Sequence, residues 1–358
     1  MRRLFAALTL VLGCLAMPVA AQGVPPTDPS VSSESAIGSW AEPQIRAVVA
    51  RGLMGGSLAT FRPDDVLTRG ELAELVVDLT HPDTVAAPPS ASSSRAVTMA
   101  GLDAHLVRAL GLTGSAKRFL TAARDAGLTP PSRFGTEVVA RLLGLRTNHL
   151  VPRDDLELLP GDSATRAEGA FSAARVLALG SADLQALRTA AASLTLPELD
   201  DWQRRVLDVA VGLIGFPYVW GGSSERAQKP FGTRAPGGFD CSGFVWRVYK
   251  LEPYEGGESL AATLKGRTTY AMSGEVPKAL RAPFAKLQPA DVIFFGAHGR
   301  KSKPDDVDHM GVYLGDGWFI HSSESGVALA RMAGWYRTRF AWARRPLAEA
   351  GLSPPSGG

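Results

Sequence analysis

The sequence predicts an α+β protein in which an antiparallel sheet packs on a helix that carries a cysteine, preceded by an all-helical repeat region. Two β-branched and aromatic runs flank a Gly-Asp-Gly turn within residues 308–323, a pattern typical of a β-hairpin. In residues 238–249 a glycine turn and a capping residue lead into helically spaced apolar residues. Capping boxes recur in the N-terminal half, which indicates repeated helical units. A chain of 358 residues exceeds one ordinary core, so we expect at least two domains.

The charge balance argues against one class of partner. The chain has 35 acidic and 38 basic residues, which give a net charge of +3, and the basic residues are spread along it. Proteins that bind nucleic acid usually concentrate positive charge in one region. We therefore expect no nucleic-acid partner.

Residues 1–21 have the three parts of a secretory signal peptide: a basic start, an apolar run, and small residues before Ala21. The apolar run is shorter than the roughly 20 residues that a membrane-spanning helix needs. An alternative is a lipoprotein in which Cys14 is acylated. We expect a secreted protein that is associated with the cell envelope. Residues 22–35, rich in Pro, Ser and Thr, are interpreted as a flexible tether.

Two helix starts in the N-terminal half share one capping arrangement. Thr68 and Glu71 form a capping box in the first, and Thr165 and Glu168 repeat it in the second. Such repetition predicts helix–loop–helix units that share a core. The other segments of this region are interpreted as a weaker third copy in residues 122–143 and a linker in residues 86–100.

These helix starts resemble S-layer homology repeats. The resemblance rests on Thr-Arg-Gly-Glu at residues 68–71 and Thr-Arg-Ala-Glu at residues 165–168, each preceded by an acidic turn. It implies attachment to cell-wall polymers, with Arg69 and Arg166 as the binding positions. An alternative stays open, because an arginine just inside a capped helix can pair with neighbouring carboxylates and bind no ligand.

Cys241 is predicted to occupy the first turn of a buried helix that Asp240 caps. Unpaired N–H groups and the helix dipole there favour the thiolate, so we expect a lowered pKa for this thiol. Removal of the leader would leave Cys241 as the one cysteine, unable to form an internal disulfide, and a secreted protein usually uses such a thiol. The alternative is that Cys241 packs as a small apolar residue.

Two histidines lie on the predicted hairpin. If its loop has three residues, Gly311 lies opposite His321, and His309 lies diagonally from His321 on the same face, roughly 7–8 Å away. A two-residue turn would place the histidines on opposite faces unless a bulge compensates. With both on one face, His309 can deprotonate Cys241 while His321 holds the His309 tautomer, which is the logic of a cysteine hydrolase.

The C-terminal part resembles the NlpC/P60 peptidoglycan peptidases. Five ordered motifs carry the resemblance, at residues 215–222, 240–243, 289–295, 308–313 and 320–322. It implies a papain-like α+β fold and a Cys-His-His peptidase that cleaves the bond between γ-D-glutamate and the diamino acid of a stem peptide. The residues that it implies as substrate contacts are Tyr218, Asp240 and Ser242.

A few positions stand outside these motifs. Met272 lies where relatives often carry glutamine, so a polar contact from that position is lost. Trp220 is interpreted as a core aromatic and His149 as a surface residue. His298 suggests a metal site beside His309, but zinc prefers ligands on ordered elements, so we expect neither a metal nor another cofactor.

The sequence therefore predicts a secreted cell-wall hydrolase whose partners are peptidoglycan peptides and, through the repeats, a wall polymer. Two alternatives remain: an amidase or acyltransferase with the same Cys-His pair, and a non-catalytic wall-binding protein. If the repeats serve as an anchor, removing residues 22–180 should leave turnover of a small soluble peptide nearly unchanged. The predicted segments are a signal peptide (1–21), a tether (22–35), helical repeats (36–180), a connector (181–201), a catalytic domain (202–346) and a tail (347–358).

Overall fold

A computed structural model describes residues 35–80, 91–151 and 153–353. The predicted signal peptide and nearly all of the predicted tether lie outside these residues. Within the described ranges, no helix is both long and apolar enough to cross a membrane.

The N-terminal half, residues 35–200, is helical. Short 3-10 turns lie between some of its helices, and Asp200 caps the helix that opens the C-terminal half. The helices of this half are α1 (Glu42–Val49), α2 (Arg69–Thr80), α3 (Met99–Ala109), α4 (Thr113–Asp125), α5 (Phe134–Leu142), α6 (Arg166–Ala178) and α7 (Ser181–Ser193). Helix α8 (Asp201–Gly212) follows in the C-terminal half.

Three short extended segments meet in the N-terminal half, each just before a helix. Their bridges pair Val66 with Thr165, Thr68 with Ala96, and Thr98 with Ser163. The helices that follow are α2, α3 and α6. This common arrangement shows three equivalent helix starts around one centre, as expected for repeats.

The capping prediction is confirmed at the first of these helix starts. The Thr68 N–H donates to the Glu71 carboxylate at 2.8 Å, and the Glu71 N–H donates to Thr68 Oγ1 at 3.3 Å. At the third start, Thr165 Oγ1 accepts from the Glu168 N–H at 3.2 Å. A threonine at the helix N-terminus thus satisfies a backbone donor in both copies.

The middle copy lies elsewhere than predicted. Its helix start is Thr98, whose side chain accepts from the Gly101 N–H, and α3 begins at Met99. Residues 96–100, interpreted as the end of a linker, therefore belong to a repeat. The sequence of this copy lacks the capping box, because Met99 and Gly101 stand where the other two copies have arginine and glutamate.

The C-terminal half, residues 201–353, contains the sheet. Its strands in the described residues are β1 (Ser223–Ser224), β2 (Gly238–Phe239), β3 (Val292–Gly296), β4 (Val307–Gly315), β5 (Trp318–Ser323), β6 (Gly326–Arg331) and β7 (Phe340–Arg344). Five of them form an antiparallel sheet in the order β6-β5-β4-β3-β7, and β1 and β2 form a separate two-stranded pair. The helices are α9 (Cys241–Trp246), α10 (Glu258–Thr263), α11 (Thr269–Gly274), α12 (Gly334–Arg339) and α13 (Pro346–Glu349), with a π-helical turn (Arg247–Leu251) directly after α9.

Both faces of the sheet are apolar. One face, which includes Phe294 and Val312, joins the main core, and α9 packs against β4 and β5. The other face, which includes Phe295 and Phe319, forms a smaller cluster with Tyr336. Helix α9 is thereby held directly against the strands that carry the two predicted catalytic histidines.

The hairpin of β4 and β5 uses a two-residue turn with a compensating bulge. Val312 pairs with Ile320, but Gly315 pairs with Trp318, so the register shifts by one residue between these pairs. Asp316 and Gly317 both have positive φ, at 48° and 73°, which is the geometry of a type I′ turn. The bulge returns His309 and His321 to one face, which is the second of the two possibilities that the sequence left open.

The two halves share one core, and the described residues from 35 to 353 form one compact unit. Phe119 of α4 packs edge-on against Trp318 of β5, with ring centroids 5.9 Å apart. Arg141 of α5 donates to the carbonyls of Gly215 and Ser325. This shared core argues against the expectation that turnover of a small soluble peptide is nearly unchanged when residues 22–180 are removed, because their removal would expose apolar side chains of the C-terminal half.

Candidate active site

Cys241 is the first residue of α9 and lies 9% exposed at a cleft of about 790 Å³. The backbone N–H groups of Ser242 and Met310 point at its thiol. Met310 follows His309 on β4, so this contact brings the nucleophile against the strand that carries the predicted base. Gly243 makes the close packing possible, since a Cβ at that position would collide with the Gly222 carbonyl.

The two imidazoles are hydrogen-bonded to each other. His309 Nε2 lies 2.8 Å from His321 Nδ1, and His321 Nε2 lies 3.4 Å from the Tyr336 hydroxyl. Because His309 Nε2 faces His321, His309 Nδ1 is the nitrogen left to accept a proton from a thiol. That role requires the Nε2–H tautomer of His309, which donates to His321, and the Nε2–H tautomer of His321, which donates to Tyr336.

The protonation states differ from those predicted. Burial raises the pKa of the Cys241 thiol to about 12, and the nearby Asp240 carboxylate adds to this effect. Burial lowers the pKa of His309 to about 4 and that of His321 well below its ordinary value. The rings of Phe295, Phe319 and Tyr336 pack against the imidazoles and reduce the water that can stabilise their charged forms. His321 is buried, whereas His309 is half-buried and lines the cleft. The resting site therefore holds a neutral thiol and neutral imidazoles, and the prediction of a lowered thiol pKa is wrong.

Asp240 and Ser242 form a polar cluster beside the thiol, joined by Arg267. Asp240 caps α9 through the Gly243 N–H and also accepts from the Gly221 N–H at 2.9 Å. Ser242 Oγ donates to Asp240 at 2.9 Å, and Arg267 Nη1 donates to Ser242 Oγ at 2.6 Å. Arg267 Nη2 donates to the Gly222 carbonyl at 3.0 Å. This cluster fixes the backbone that enters the nucleophile helix.

Tyr218 lines the same cleft, as do Asp240 and Ser242. Burial raises the pKa of the Tyr218 hydroxyl, with a further contribution from Cys241, so this group stays a hydrogen-bond donor. The Tyr218 carbonyl accepts from Asn148 Nδ2 at 3.2 Å. A side chain from the N-terminal half thus holds the segment that carries Tyr218.

Of the residues predicted for the site, Cys241, His309, Tyr218, Asp240 and Ser242 line this cleft, and the buried His321 contacts it through His309. The two residues assigned to wall binding do not line it. Arg69 is exposed, whereas Arg166 is buried. Arg166 donates to the carbonyls of Phe61 and Met54 and to the Glu71 carboxylate. Each of its three guanidinium nitrogens donates within the protein, which supports the structural alternative for Arg166.

Other residues near the site had no signal in the sequence. Arg267, Tyr336 and the segment 148–151 reach it from distant parts of the chain. Trp220, interpreted as a core aromatic, is 54% exposed. The His149 ring, assigned to the surface, is buried against Trp40 with ring centroids 4.5 Å apart.

Met272 is fully buried in α11, and its carbonyl accepts from Arg344. Its position therefore contributes to packing in this protein. Among the residues that the structure describes, no three His, Cys, Asp or Glu side chains come together in a way that could hold a metal ion.

Comparison with known families gives two matches in this chain. Residues 215–345 match the model of the NlpC/P60 family. They form an NlpC/P60 domain. Residues 35–73 match the model of the S-layer homology domain, which covers the first of the helical repeats.

The curated relatives of this chain include proteins named endopeptidases and one named a dipeptidyl-peptidase. The probable endopeptidase YafL of Escherichia coli is 37% identical over 139 residues, 38% of this chain and 47% of YafL. The probable peptidoglycan endopeptidase LytE of Bacillus subtilis is 31% identical over 142 residues, 39% of this chain and 34% of LytE. The gamma-D-glutamyl-L-lysine dipeptidyl-peptidase of Bacillus subtilis is 26% identical over 125 residues, 35% of this chain and 33% of the relative. The chain thus spans less than half the length of each of these relatives.

A solved structure is similar to part of this chain. It is an NlpC/P60 family protein of Bacillus cereus, 25% identical, with a TM-score of 0.31, covering 43% of this chain and 42% of that protein.

Proposed function

We propose that this protein is a cell-wall hydrolase that cleaves an amide bond of the peptidoglycan stem peptide. The observation that carries the proposal is the chain of contacts from Cys241, through the strand of His309, to His321. Its support from similarity is the NlpC/P60 domain and the relatives named endopeptidases. By the resemblance, and by the relative named for a γ-D-glutamyl-L-lysine bond, the scissile bond follows γ-D-glutamate.

In the proposed mechanism, Cys241 Sγ attacks the carbonyl carbon of that amide while its proton passes to His309 Nδ1. The neutral resting states make this transfer part of the attack, because a thiol with a raised pKa is a weak nucleophile until its proton leaves. The negative charge then develops on the carbonyl oxygen, where backbone N–H groups near Cys241 and the Tyr218 hydroxyl would stabilise it.

The imidazolium of His309 then gives its proton to the leaving amine, and a thioester of Cys241 remains. A water molecule attacks the thioester with His309 as base, releasing the carboxylate and restoring the thiol. Throughout, His321 accepts from His309 Nε2–H and stabilises the positive charge that His309 carries transiently.

The test uses the purified full chain on purified peptidoglycan, with the released fragments identified by mass spectrometry. We expect new termini at γ-D-glutamate in the wild type and none in Cys241→Ala, which replaces one small side chain with another. Cleavage that persists in Cys241→Ala would exclude the proposed nucleophile. Release of intact stem peptides from the glycan would instead identify the amidase alternative.

We also propose that the S-layer homology repeats associate with a wall polymer, so that the protein acts at the cell surface as a secreted enzyme. The support is the family match at residues 35–73 and the exposed guanidinium of Arg69. Retention of the full chain on intact wall at low salt, weakened in Arg69→Ala and at high salt, is the expected result. Retention that Arg69→Ala does not change would remove this residue from the binding site.

A further inference from the structure

The mouth of the catalytic cleft carries several large apolar side chains that are exposed. They are Leu150 (85% exposed), Val151 (53%), Trp220 (54%), Phe231 (83%) and Tyr270 (54%). We call these five residues the apolar rim. Single exposed apolar side chains need no explanation, but a group of them around one cavity marks a binding surface.

One part of the rim comes from the N-terminal half and is firmly held. The His149 N–H donates to the Glu157 carboxylate at 2.6 Å, and the neighbouring Asn148 side chain donates to the Tyr218 carbonyl. The His149 ring lies between Trp40 and the Glu168 carboxylate, which is 3.5 Å from its Nε2. These contacts fix the backbone from which Leu150 and Val151 project.

A network of buried charged side chains also stabilises the segment that carries Leu150 and Val151, through the contact of Glu168 with His149. Glu168 lies 3.6 Å from Arg146, and Arg146 lies 3.7 Å from Asp103. All three side chains are less than 10% exposed. Because removing one member would leave a buried charge without its partner, this network holds α3, α6 and the segment after α5 in one arrangement.

Phe231 shows a second sign of a built surface. Its φ of 49° is in the left-handed region, which is unfavourable for an aromatic residue. Its ring lies over the backbone of Gly221, where a Cβ would collide with it. An exposed aromatic side chain held in a strained conformation beside the nucleophile is typical of a functional site.

We propose that the apolar rim binds the amino sugar to which the stem peptide is attached, and that Leu150 and Val151 are specificity-determining residues for its cleavage. This inference rests on the function proposed above. The rim lines the same cavity as Cys241 and His309, so its occupant is a part of the substrate that extends from the scissile bond to the mouth of the cleft. A stem peptide carries carboxylates and an amine, whereas the sugar is uncharged and presents a face of C–H groups. The rim, which has no charged side chain and three aromatic rings, matches the sugar.

The test compares two soluble substrates of the full chain: a disaccharide-tetrapeptide and the same tetrapeptide without its sugars. The variants are Leu150→Ser and Trp220→Ser, and the matched control is Leu280→Ser, because Leu280 is 64% exposed but lies outside the cleft. Thermal unfolding of each variant checks its fold. We expect wild type and control to show a KM for the disaccharide-tetrapeptide about fivefold or more below that for the free tetrapeptide.

In Leu150→Ser and Trp220→Ser we expect the ratio of the two KM values to approach one, through a rise in KM for the sugar-containing substrate. A ratio that stays at the wild-type value in both variants would overturn the inference. A wild type that prefers the free tetrapeptide would overturn it as well, and would leave the proposed hydrolase function intact. Cleavage of neither substrate by the wild type would instead refute the proposed function, and this inference with it.

Discussion

Gly311 of β4 lies against His321 of β5 so closely that a Cβ at Gly311 would be 3.1 Å from His321 Cβ and 2.6 Å from the Ile320 carbonyl oxygen. The hydrogen bond between His321 and His309 thus depends on the absence of a side chain at Gly311. We expect Gly311→Ala to push the two strands apart and to lower kcat at least tenfold, because a small displacement of a general base has a large effect.

Gly114→Ala is the matched control for this change. Gly114 lies in α4 with open space where its Cβ would be, so we expect wild-type kcat and equal or slightly higher stability. Wild-type kcat in Gly311→Ala would show that the position of His321 does not matter for catalysis.

The Tyr336 hydroxyl accepts a hydrogen bond from His321 Nε2–H in the tautomer arrangement described above. We expect Tyr336→Phe to lower kcat several-fold with little change in KM, because it leaves His321 without this partner. In a His321→Ala background the same substitution should have no further effect on kcat, since the two residues act through one path. Steady-state kinetics of the two single variants and the double variant measure this coupling.

Tyr313→Phe serves as a control for the loss of a hydroxyl. Tyr313 accepts from the Gly317 N–H at 2.9 Å and supports the turn rather than the imidazoles. It should affect stability more than kcat. Additive losses in the Tyr336→Phe/His321→Ala variant would contradict the path from Tyr336 through His321.

The protonation states of the site predict an unusual pH dependence. Since burial raises the pKa of the Cys241 thiol to about 12, the thiolate fraction should grow about tenfold per pH unit between pH 7 and 10. We expect the rate of alkylation by iodoacetamide to follow it without a plateau. Activity needs neutral His309, whose pKa is lowered to about 4, so kcat/KM should rise through that pH and then stay level to about pH 9.

A preformed thiolate–imidazolium pair would behave differently. It would give an alkylation rate that is already level near neutral pH, and His309→Gln would shift the whole curve upward in pH. Such a plateau would show that the charged pair, rather than the neutral one, is the resting state.

The contact of Arg141 with the C-terminal half predicts a shared stability. Arg141 lies 3.4 Å from Glu137, and both side chains are less than 5% exposed. Arg141→Met leaves the Glu137 carboxylate buried without its partner, which we expect to reduce the free energy of unfolding by about 3–5 kcal/mol. Chemical denaturation should show one cooperative transition for the whole chain, because both halves share one core.

Two further variants separate the charge effect from a general effect of arginine loss. Glu137→Leu with Arg141→Met should recover most of the lost stability, since no buried charge is left alone. Arg46→Met removes the exposed pair of Arg46 with Glu42, and we expect it to reduce stability by less than about 1 kcal/mol. Two separate unfolding transitions in the wild type would contradict the shared core.

Features that depend on the local spacing of residues could be predicted from the amino-acid sequence. The cap before Cys241, the alternation that makes a hairpin, and the capping box at Thr68 and Glu71 all involve residues a few positions apart. The patterns of side chains that form these units are visible without a fold. The sequence therefore left two hairpin geometries that put His309 and His321 on one face: a loop with an odd number of residues, or a two-residue turn with a bulge.

Other features of the protein depend on contacts between residues that are distant in the chain, and these contacts are seen only in the folded protein. The bulge near Gly315, the burial of Arg166 and the raised pKa of Cys241 all follow from what packs around each group. The approach of Leu150 to the cleft joins residues about 90 positions apart along the chain, a separation at which periodicity carries no information. For the same reason the shared core was missed: burial between two halves depends on which apolar faces meet, and each face alone is compatible with a separate domain.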